Sequence, residues 1–143
     1  GQGVQVTLKD GSRKAIESLK AGDVVKGESA FNSVLEVVKP ERKSPIVSIN
    51  QGELILTSDH PIATDAGYKA VDFDSNKSAV KLYGLDKVGK LKVGDTVVTQ
   101  DGKLEVKSIE VLPENKANPS VTYNLRLDGN KTFYANGVLV RGF

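Results

Sequence analysis

Short runs in which every second residue is apolar set the pattern at the start of the chain. Val4, Val6 and Leu8 alternate with polar residues. A period of two is typical of a β-strand with one buried and one exposed face. Asp10-Gly11 follows directly, and this dipeptide favours a tight turn because both residues tolerate the backbone conformations that turns need. The pattern therefore predicts a strand that turns back on itself.

The same alternation of short apolar runs and turn residues continues to the end of the chain. The further predicted strands are 24–25, 33–38, 46–50, 53–56, 93–99, 103–112, 121–127, 131–134 and 138–140. Gln51-Gly52 and the triplet 100–102 each predict a hairpin, and residues 15–20 fit a single short helical turn. No segment keeps a helical period over three turns. Many short strands with regular turn signals predict an all-β fold.

An internal repeat divides the chain into two related parts. The segment Leu19-Lys20-Ala21-Gly22-Asp23-Val24-Val25 returns 72 residues later as Leu91-Lys92-Val93-Gly94-Asp95-Thr96-Val97. Residues 35–37 match 109–111, and 57–62 match 133–138 more loosely. We interpret the three matches as two copies of one β subunit related by a pseudo-twofold axis. The predicted organisation is one domain over residues 1–143, with halves at about 1–71 and 91–143 and a linker at about 72–90.

Composition and charge narrow the functional classes. The chain has 20 basic and 18 acidic residues, a net charge of +2, and no Cys, Met or Trp. The basic residues are scattered, so no nucleic-acid partner is expected. No apolar run is long enough to span a membrane. Without Cys there is no disulfide or thiolate zinc site, and one His cannot build a multi-His metal site. We expect no metal and no cofactor, and a monomer.

The single His is the main candidate for chemistry. His60 follows a strand and precedes Pro61, so Thr57, Asp59 and His60 should lie together at a strand end. An imidazole there can act as an acid or base near neutral pH. An ordinary surface His in a turn is the alternative for such a residue taken by itself.

Three blocks in order resemble the Hint superfamily, which comprises inteins, hedgehog autoprocessing domains and bacterial intein-like domains. The first family block, Cys-Phe-x-x-Gly-x-x-Val-x-Leu-x-Asp-Gly-Ser, is matched from Gly3 to Ser12 and continues through Lys14, Ile16, Leu19 and Gly22-Asp23. The family's Thr-x-x-His block is matched by Thr57 and His60. The final block is matched by Tyr123, Leu125, Phe133, Tyr134, Asn136, Gly137 and Val140.

The resemblance implies a fold and a reaction. The fold is a Hint-type horseshoe of short antiparallel strands. In the reaction, an N-terminal Cys or Ser attacks the preceding peptide carbonyl, and the Thr-x-x-His block polarises that bond and protonates the departing amine. Thr57 and His60 would take these roles at the N-terminal scissile end, Gly1, while Asp59 would tune His60 or act as a turn carboxylate. Asn124 follows Tyr123 where many inteins have an Asp that assists.

The departures from the family pattern limit that reaction. The nucleophile would fall two residues before Gly1, and no Cys occurs in the chain. The family's terminal His-Asn pair falls on Arg141 and Gly142. Gly142 has no side-chain amide that could cyclise, and an arginine cannot shuttle protons near neutral pH. The chain as it stands is therefore expected to be deficient in splicing.

Two classes of function remain open from the sequence. One is a single-turnover autoprocessing domain, active on the flanking segments of its own precursor when its nucleophile is present. The other is a degenerate Hint fold without catalysis that serves as a scaffold or binding module. A Cys or Ser two residues before Gly1 would distinguish the first from the second. A third reading, an unrelated β-sandwich that binds carbohydrate, lacks exposed Trp for stacking and predicts no repeat.

Overall fold

Strands form nearly all of the regular structure. The computed structural model describes residues 3–39, 44–73, 77–85 and 87–143. The strands are β1 (Gln5–Thr7), β2 (Arg13–Ala15), β3 (Val24–Gly27), β4 (Ala30–Val38), β5 (Ile46–Ile49), β6 (Leu54–Thr57), β7 (Ile62–Thr64), β8 (Gly67–Ala70), β9 (Gly89–Lys90), β10 (Thr96–Thr99), β11 (Gly102–Glu105), β12 (Ile109–Leu112), β13 (Asn124–Leu127), β14 (Thr132–Ala135) and β15 (Val138–Arg141). One α-helix, α1 (Lys77–Tyr83), and 3-10 turns at Ile16–Ser18, Glu114–Lys116 and Pro119–Thr122 complete the described elements.

Most local predictions from the sequence are confirmed. The hairpins β5–β6 and β10–β11 form across the predicted turns, and residues 16–18 make the predicted helical turn. The helix α1 lies inside the predicted linker and has only seven residues, so it is too short to give the helical period that was sought. Among the described residues, no helix has the length and apolar character needed to cross a membrane.

The segments around Asp128 differ from a simple hairpin. β13 pairs with β4, whereas β14 pairs with β1 and β15. The turn between β13 and β14 is tied to β4 instead, because the Asp128 carboxylate accepts a hydrogen bond from Ser33 N at 2.6 Å and Asp128 N donates to Ser33 O. These bonds fix β13 beside β4 and direct β14 into a different sheet.

Strands from the two halves of the sequence pair with each other in all three sheets of the described residues. One large sheet has the order β2-β1-β14-β15-β10-β7-β8-β9, with β11 on β10, and β15 also pairs with β7. Two three-stranded sheets have the orders β13-β4-β3 and β12-β5-β6. Each small sheet combines two strands of the first half with one of the second. The halves therefore depend on each other for backbone pairing, and the first and last strands, β1 and β15, lie in the same large sheet.

The two copies of the sequence repeat have the same local hydrogen bonds. In the first copy, the Asp23 carboxylate accepts from Lys20 N at 3.0 Å, and Gly22 N donates to Val34 O at 2.9 Å. In the second copy, Asp95 accepts from Lys92 N at 2.9 Å, and Gly94 N donates to the carbonyl of residue 106 at 2.8 Å. All four corresponding positions keep the offset of 72 residues. This agreement supports the interpretation of a duplicated unit.

The core is aliphatic, as the low aromatic content requires. Its fully buried members come from both halves and include Ile16, Val25, Ile62, Leu91, Leu125 and Leu139. Phe133 is the largest side chain at its centre, with 1% of its surface exposed. This ring reaches the turn that carries His60, so the core itself forms one wall of the candidate site.

Candidate functional site

His60 lies in the short connection between β6 and β7. Its amide donates to Thr57 O at 3.2 Å, which closes the turn that the sequence predicted at this strand end. Ser58 N is held by Pro45 O at 2.8 Å. Pro61 has no N–H to continue the ladder, so the chain leaves β6 here and directs His60 inward, where only 6% of its surface is exposed.

The imidazole of His60 contacts the main chain near the C-terminal end. Its Nε2 lies 2.9 Å from the carbonyl oxygen of Arg141. Because a carbonyl only accepts, Nε2 carries the proton in this contact. The ring also packs edge-on to Phe133, with 6.3 Å between ring centroids. This contact places the imidazole beside β15, the last strand of the chain.

Burial controls the protonation of His60. Desolvation lowers the pKa of His60 from 6.5 to about 4, and the nearby Asp59 charge and the hydrogen bond to Arg141 oppose that effect without reversing it. At neutral pH the ring is therefore neutral, with its proton on Nε2. A neutral imidazole with one committed donor leaves Nδ1 as the free acceptor.

A small cavity next to His60 connects it to both ends of the fold. Its volume is about 10 Å³, measured as the space open to the centre of a water molecule, which is close to the minimum for one water. Val4 of the N-terminal segment and Val140 of β15 both line it together with His60. Gly1, the predicted N-terminal scissile end, lies outside the described residues. The position of Val4 nevertheless places the N-terminal segment on the same side of the core as the imidazole.

Thr57 and Asp59 flank His60 as the sequence predicted. Thr57 is the last residue of β6, is half-buried, and pairs with Ile46 of β5. Asp59 is also half-buried, and its carboxylate accepts a hydrogen bond from Ser44 Oγ at 3.1 Å. The Asp59 carboxylate holds the turn through Ser44, and its charge partly opposes the lowering of the His60 pKa by burial. These contacts correspond to the two roles that the sequence left open for Asp59.

Asn124 lies at a buried position on the first residue of β13. Its side chain is 3% exposed, and its Nδ2 donates to the hydroxyl oxygen of Tyr83 at 3.0 Å. Its Oδ1 accepts from the amide of Leu125 at 2.8 Å. Tyr83 in turn lies 6.4 Å from His60, measured between ring centroids. Asn124 therefore joins the site through Tyr83.

The predicted C-terminal junction, Arg141 and Gly142, is held by hydrogen bonds. Arg141 N donates to Pro61 O at 3.1 Å. The guanidinium of Arg141 donates through one nitrogen to Tyr83 O at 2.7 Å and to Gly142 O at 2.9 Å. Burial lowers the pKa of Arg141, and contacts with Tyr68 and Tyr83 oppose the effect.

Gly142 occupies a position with no room for a side chain. Its amide donates to Lys131 O at 2.6 Å. A Cβ added here would lie 2.5 Å from Leu125 O and 3.2 Å from a methyl carbon of Leu127. The residue that stands where the family has a cyclising Asn is thus fixed as glycine by the backbone packed against it.

Tyr83 is the residue of this site that the sequence analysis missed. It is the last residue of α1, is 6% exposed, and its ring centroid lies 4.8 Å from that of Phe143. The sequence pattern of the segment 72–90 predicts only a linker. Its two aromatic residues, Phe73 and Tyr83, were the available signal, since aromatic side chains in a lysine-rich stretch indicate that part of it packs against the core.

The described residues contain no group of three or more His, Cys, Asp or Glu side chains that could hold a metal ion. The polar groups that act on the imidazole of His60 are the main-chain carbonyl of Arg141 and the carboxylate of Asp59. An imidazole in such surroundings can transfer a proton or hydrogen-bond to a peptide bond.

Comparison with solved structures identifies the fold. The chain is similar to a bacterial intein-like domain from Clostridium thermocellum, with 28% identity, a TM-score of 0.70, and coverage of 98% of this chain and 95% of that one. It is also similar to the gp41-1 intein, with 24% identity, a TM-score of 0.68 and coverage of 97% and 94%. A DnaB intein from Synechocystis sp. matches with 16% identity, a TM-score of 0.66 and coverage of 98% and 94%.

These likenesses extend over nearly the whole chain and define it as an all-β protein with the Hint fold. No family sequence profile and no curated protein sequence matches the chain. The structural neighbours, with the three sequence blocks, show that it is a relative of the inteins and bacterial intein-like domains of the Hint superfamily.

Proposed function

We propose that this chain is an autoprocessing domain, spanning residues 1–143, that cleaves the peptide bond on its N-terminal side and keeps its C-terminal side attached. The observation that carries the proposal is the buried His60, which shares a cavity with Val4 and Val140 and directly contacts Arg141. An acid–base group between the two ends of a chain is suited to act on a bond at one of those ends.

The reaction needs a Cys or Ser two residues before Gly1. Its sulfur or oxygen attacks the preceding carbonyl carbon, a new S–C or O–C bond forms, and the C–N bond breaks. The nitrogen takes up a proton and becomes a free amine. Water or an added thiol then attacks the ester or thioester and releases the upstream segment. Thr57 would hydrogen-bond the scissile peptide, and Asp59 would modulate His60.

The role of His60 in this scheme is to supply the proton. Because its pKa is about 4, about one molecule in a thousand carries the imidazolium at pH 7. That form is a strong acid beside a departing amine, and burial makes transfer of its proton favourable. The low population of the imidazolium lowers the rate of release, whereas the strong acidity of that form raises the rate of each proton transfer.

The C-terminal side lacks the groups for a second cleavage. Gly142 has no side-chain amide to attack its own carbonyl, and the backbone of Leu125 leaves no space for a side chain. Arg141 keeps its charge and donates to Gly142 O and Tyr83 O. The expected product is therefore this domain with its downstream segment still attached, and the partners are the flanking segments of its own precursor.

The test is a fusion with Cys-Phe restored before Gly1, a reporter upstream and a second reporter downstream. Addition of a thiol should release the upstream reporter, seen on a gel, while the downstream reporter stays attached. His60→Gln is the sharpest variant, because a glutamine can still donate to Arg141 O but cannot become a cation. We expect it to fold and to lose release, as should Thr57→Ala to a smaller degree, whereas the exposed Val111→Ala should release normally.

The alternative function is a non-catalytic scaffold with the same fold. The absence of Cys and the closed position at Gly142 favour it. No release from the fusion with the restored nucleophile, or full release with His60→Gln, would refute autoprocessing through His60; the first result would favour the scaffold.

A further inference from the structure

Tyr83 connects two parts of the site that are far from it in sequence, Asn124 and the segment 141–143. Its hydroxyl accepts from Asn124, its ring packs at a tilt against that of Phe143, and its main-chain carbonyl accepts from the guanidinium of Arg141. A residue that only filled the core would need none of these polar contacts. Their convergence on one residue at the end of α1 indicates a specific positioning role.

The contact between His60 and the C-terminal end depends on where residues 141–143 lie. Phe143 is held by two backbone hydrogen bonds, from its amide to Leu125 O at 2.9 Å and from Leu127 N to its carbonyl at 3.0 Å. Its ring is 7% exposed and rests on Tyr83. Tyr83 thus contacts the segment at two residues, through its ring at Phe143 and through its main-chain carbonyl at the guanidinium of Arg141.

We propose that Tyr83 is a positioning residue that holds residues 141–143 against His60. Through Tyr83, the segment between the two halves determines which nitrogen of the imidazole is free to act on the peptide bond on the N-terminal side of the domain. With Arg141 O in place, Nε2 is occupied and Nδ1 remains. If residues 141–143 moved away, Nε2 would lose its acceptor and the imidazole would gain access to solvent. The group formed by Tyr83, Arg141 and Phe143 is called the junction clamp below.

The clamp can be tested on the chain as it is, without a nucleophile. His60 is the only His, so its ring signals in an NMR titration are unambiguous. Tyr83→Leu removes the aromatic ring and the hydroxyl. We expect exchange of the Phe143 amide with solvent to become about tenfold faster, the upper range for loss of an aromatic pair. The pKa of His60 should move up from about 4 toward 6.5, and the nitrogen-15 shifts should show loss of the fixed Nε2–H form.

Two controls separate positioning from general loosening. Leu82→Ala changes the neighbouring residue of the same helix, whose side chain is 51% exposed, and should change neither signal. The amide of the fully buried Val25 should keep its exchange rate in all variants. Tyr83→Phe keeps the ring, so Phe143 should remain protected while the side-chain amide signals of Asn124 shift.

The clamp is refuted if Tyr83→Leu leaves Phe143 exchange and the His60 titration as in the unaltered chain, or if Leu82→Ala moves both equally. Should Tyr83→Leu not fold, Phe143→Leu examines the same contact from the other side with the same expected changes. The consequence for the upstream reaction rests on the proposed function: in the fusion, the pH profile of release should shift with the His60 pKa. An altered titration without any release would disprove autoprocessing and leave the clamp standing.

Discussion

Acidification should destabilise this protein through its single histidine. In the folded chain burial lowers the pKa of His60 to about 4, whereas in the unfolded chain an exposed imidazole has its ordinary value of 6.5. Between those two pH values the unfolded state binds a proton that the folded state does not. The free energy of unfolding therefore falls as pH decreases from about 6.5 to about 4, and it has no further dependence on His60 below that.

The size of the effect follows from the pKa difference. Each pKa unit corresponds to about 1.4 kcal/mol, so the full loss is about 3 kcal/mol for a pKa that falls from 6.5 to about 4. That is a substantial part of the 5–15 kcal/mol by which domains are generally stable. The effect should be nearly absent at pH 7 and should be largest near pH 4.

Urea unfolding of the chain and of His60→Gln at several pH values from 7 to 4 isolates this contribution. Carboxylates also begin to take up protons at the acidic end of this range. They titrate equally in both proteins, so the difference between the two curves belongs to His60. Parallel curves, or an NMR pKa of His60 near 6.5, would refute the account of a buried neutral imidazole.

Three further predictions concern the fold. Gly142→Ala should reduce the free energy of unfolding by about 1–3 kcal/mol, because its Cβ meets a backbone carbonyl, whereas Gly89→Ala, which meets only a flexible lysine side chain, should cost less; equal costs in urea unfolding would contradict this. Asp23→Ala and Asp95→Ala should each cost about 0.5–2 kcal/mol as lost turn caps and should be additive in the double variant, since the two copies lie in separate turns. Asn136→Ala should lower the melting temperature, because Asn136 has a φ of +49° and accepts from a strand amide; an unchanged melting temperature would be evidence against that role.

Much of the strand arrangement could be predicted because it depends on neighbours in sequence. The hairpin β5–β6 needs only two β-rich runs and a Gly in the turn, and that turn does contain Gly52 at a φ of +96°. The capped turns of the repeat need only an Asp three residues after the amide that it accepts from. Such features are encoded within a few residues.

Pairing between the halves could not be read in the same way. The runs that became β13 and β14 are separated by a short turn and resemble a hairpin, yet they enter different sheets. The deciding contacts join Asp128 to Ser33, and neither residue type by itself indicates the other. Many alternative strand orders are compatible with the same local sequence patterns.

The sequence by itself determined an all-β chain with a duplicated unit, and it determined that the single His follows a strand in a Thr-x-x-His turn. The tertiary structure decided that His60 is buried and neutral, that Tyr83 belongs to the site, and that residue 142 must be glycine. The first two properties involve contacts between residues 81, 41 and 58 positions apart: His60 with Arg141, Tyr83 with Asn124, and Tyr83 with Arg141. The third comes from the close approach of Gly142 to the backbone of Leu125. The burial of His60 and the close approach of backbone to Gly142 result from the packing of the whole chain. A local pattern of polar and apolar residues does not predict them.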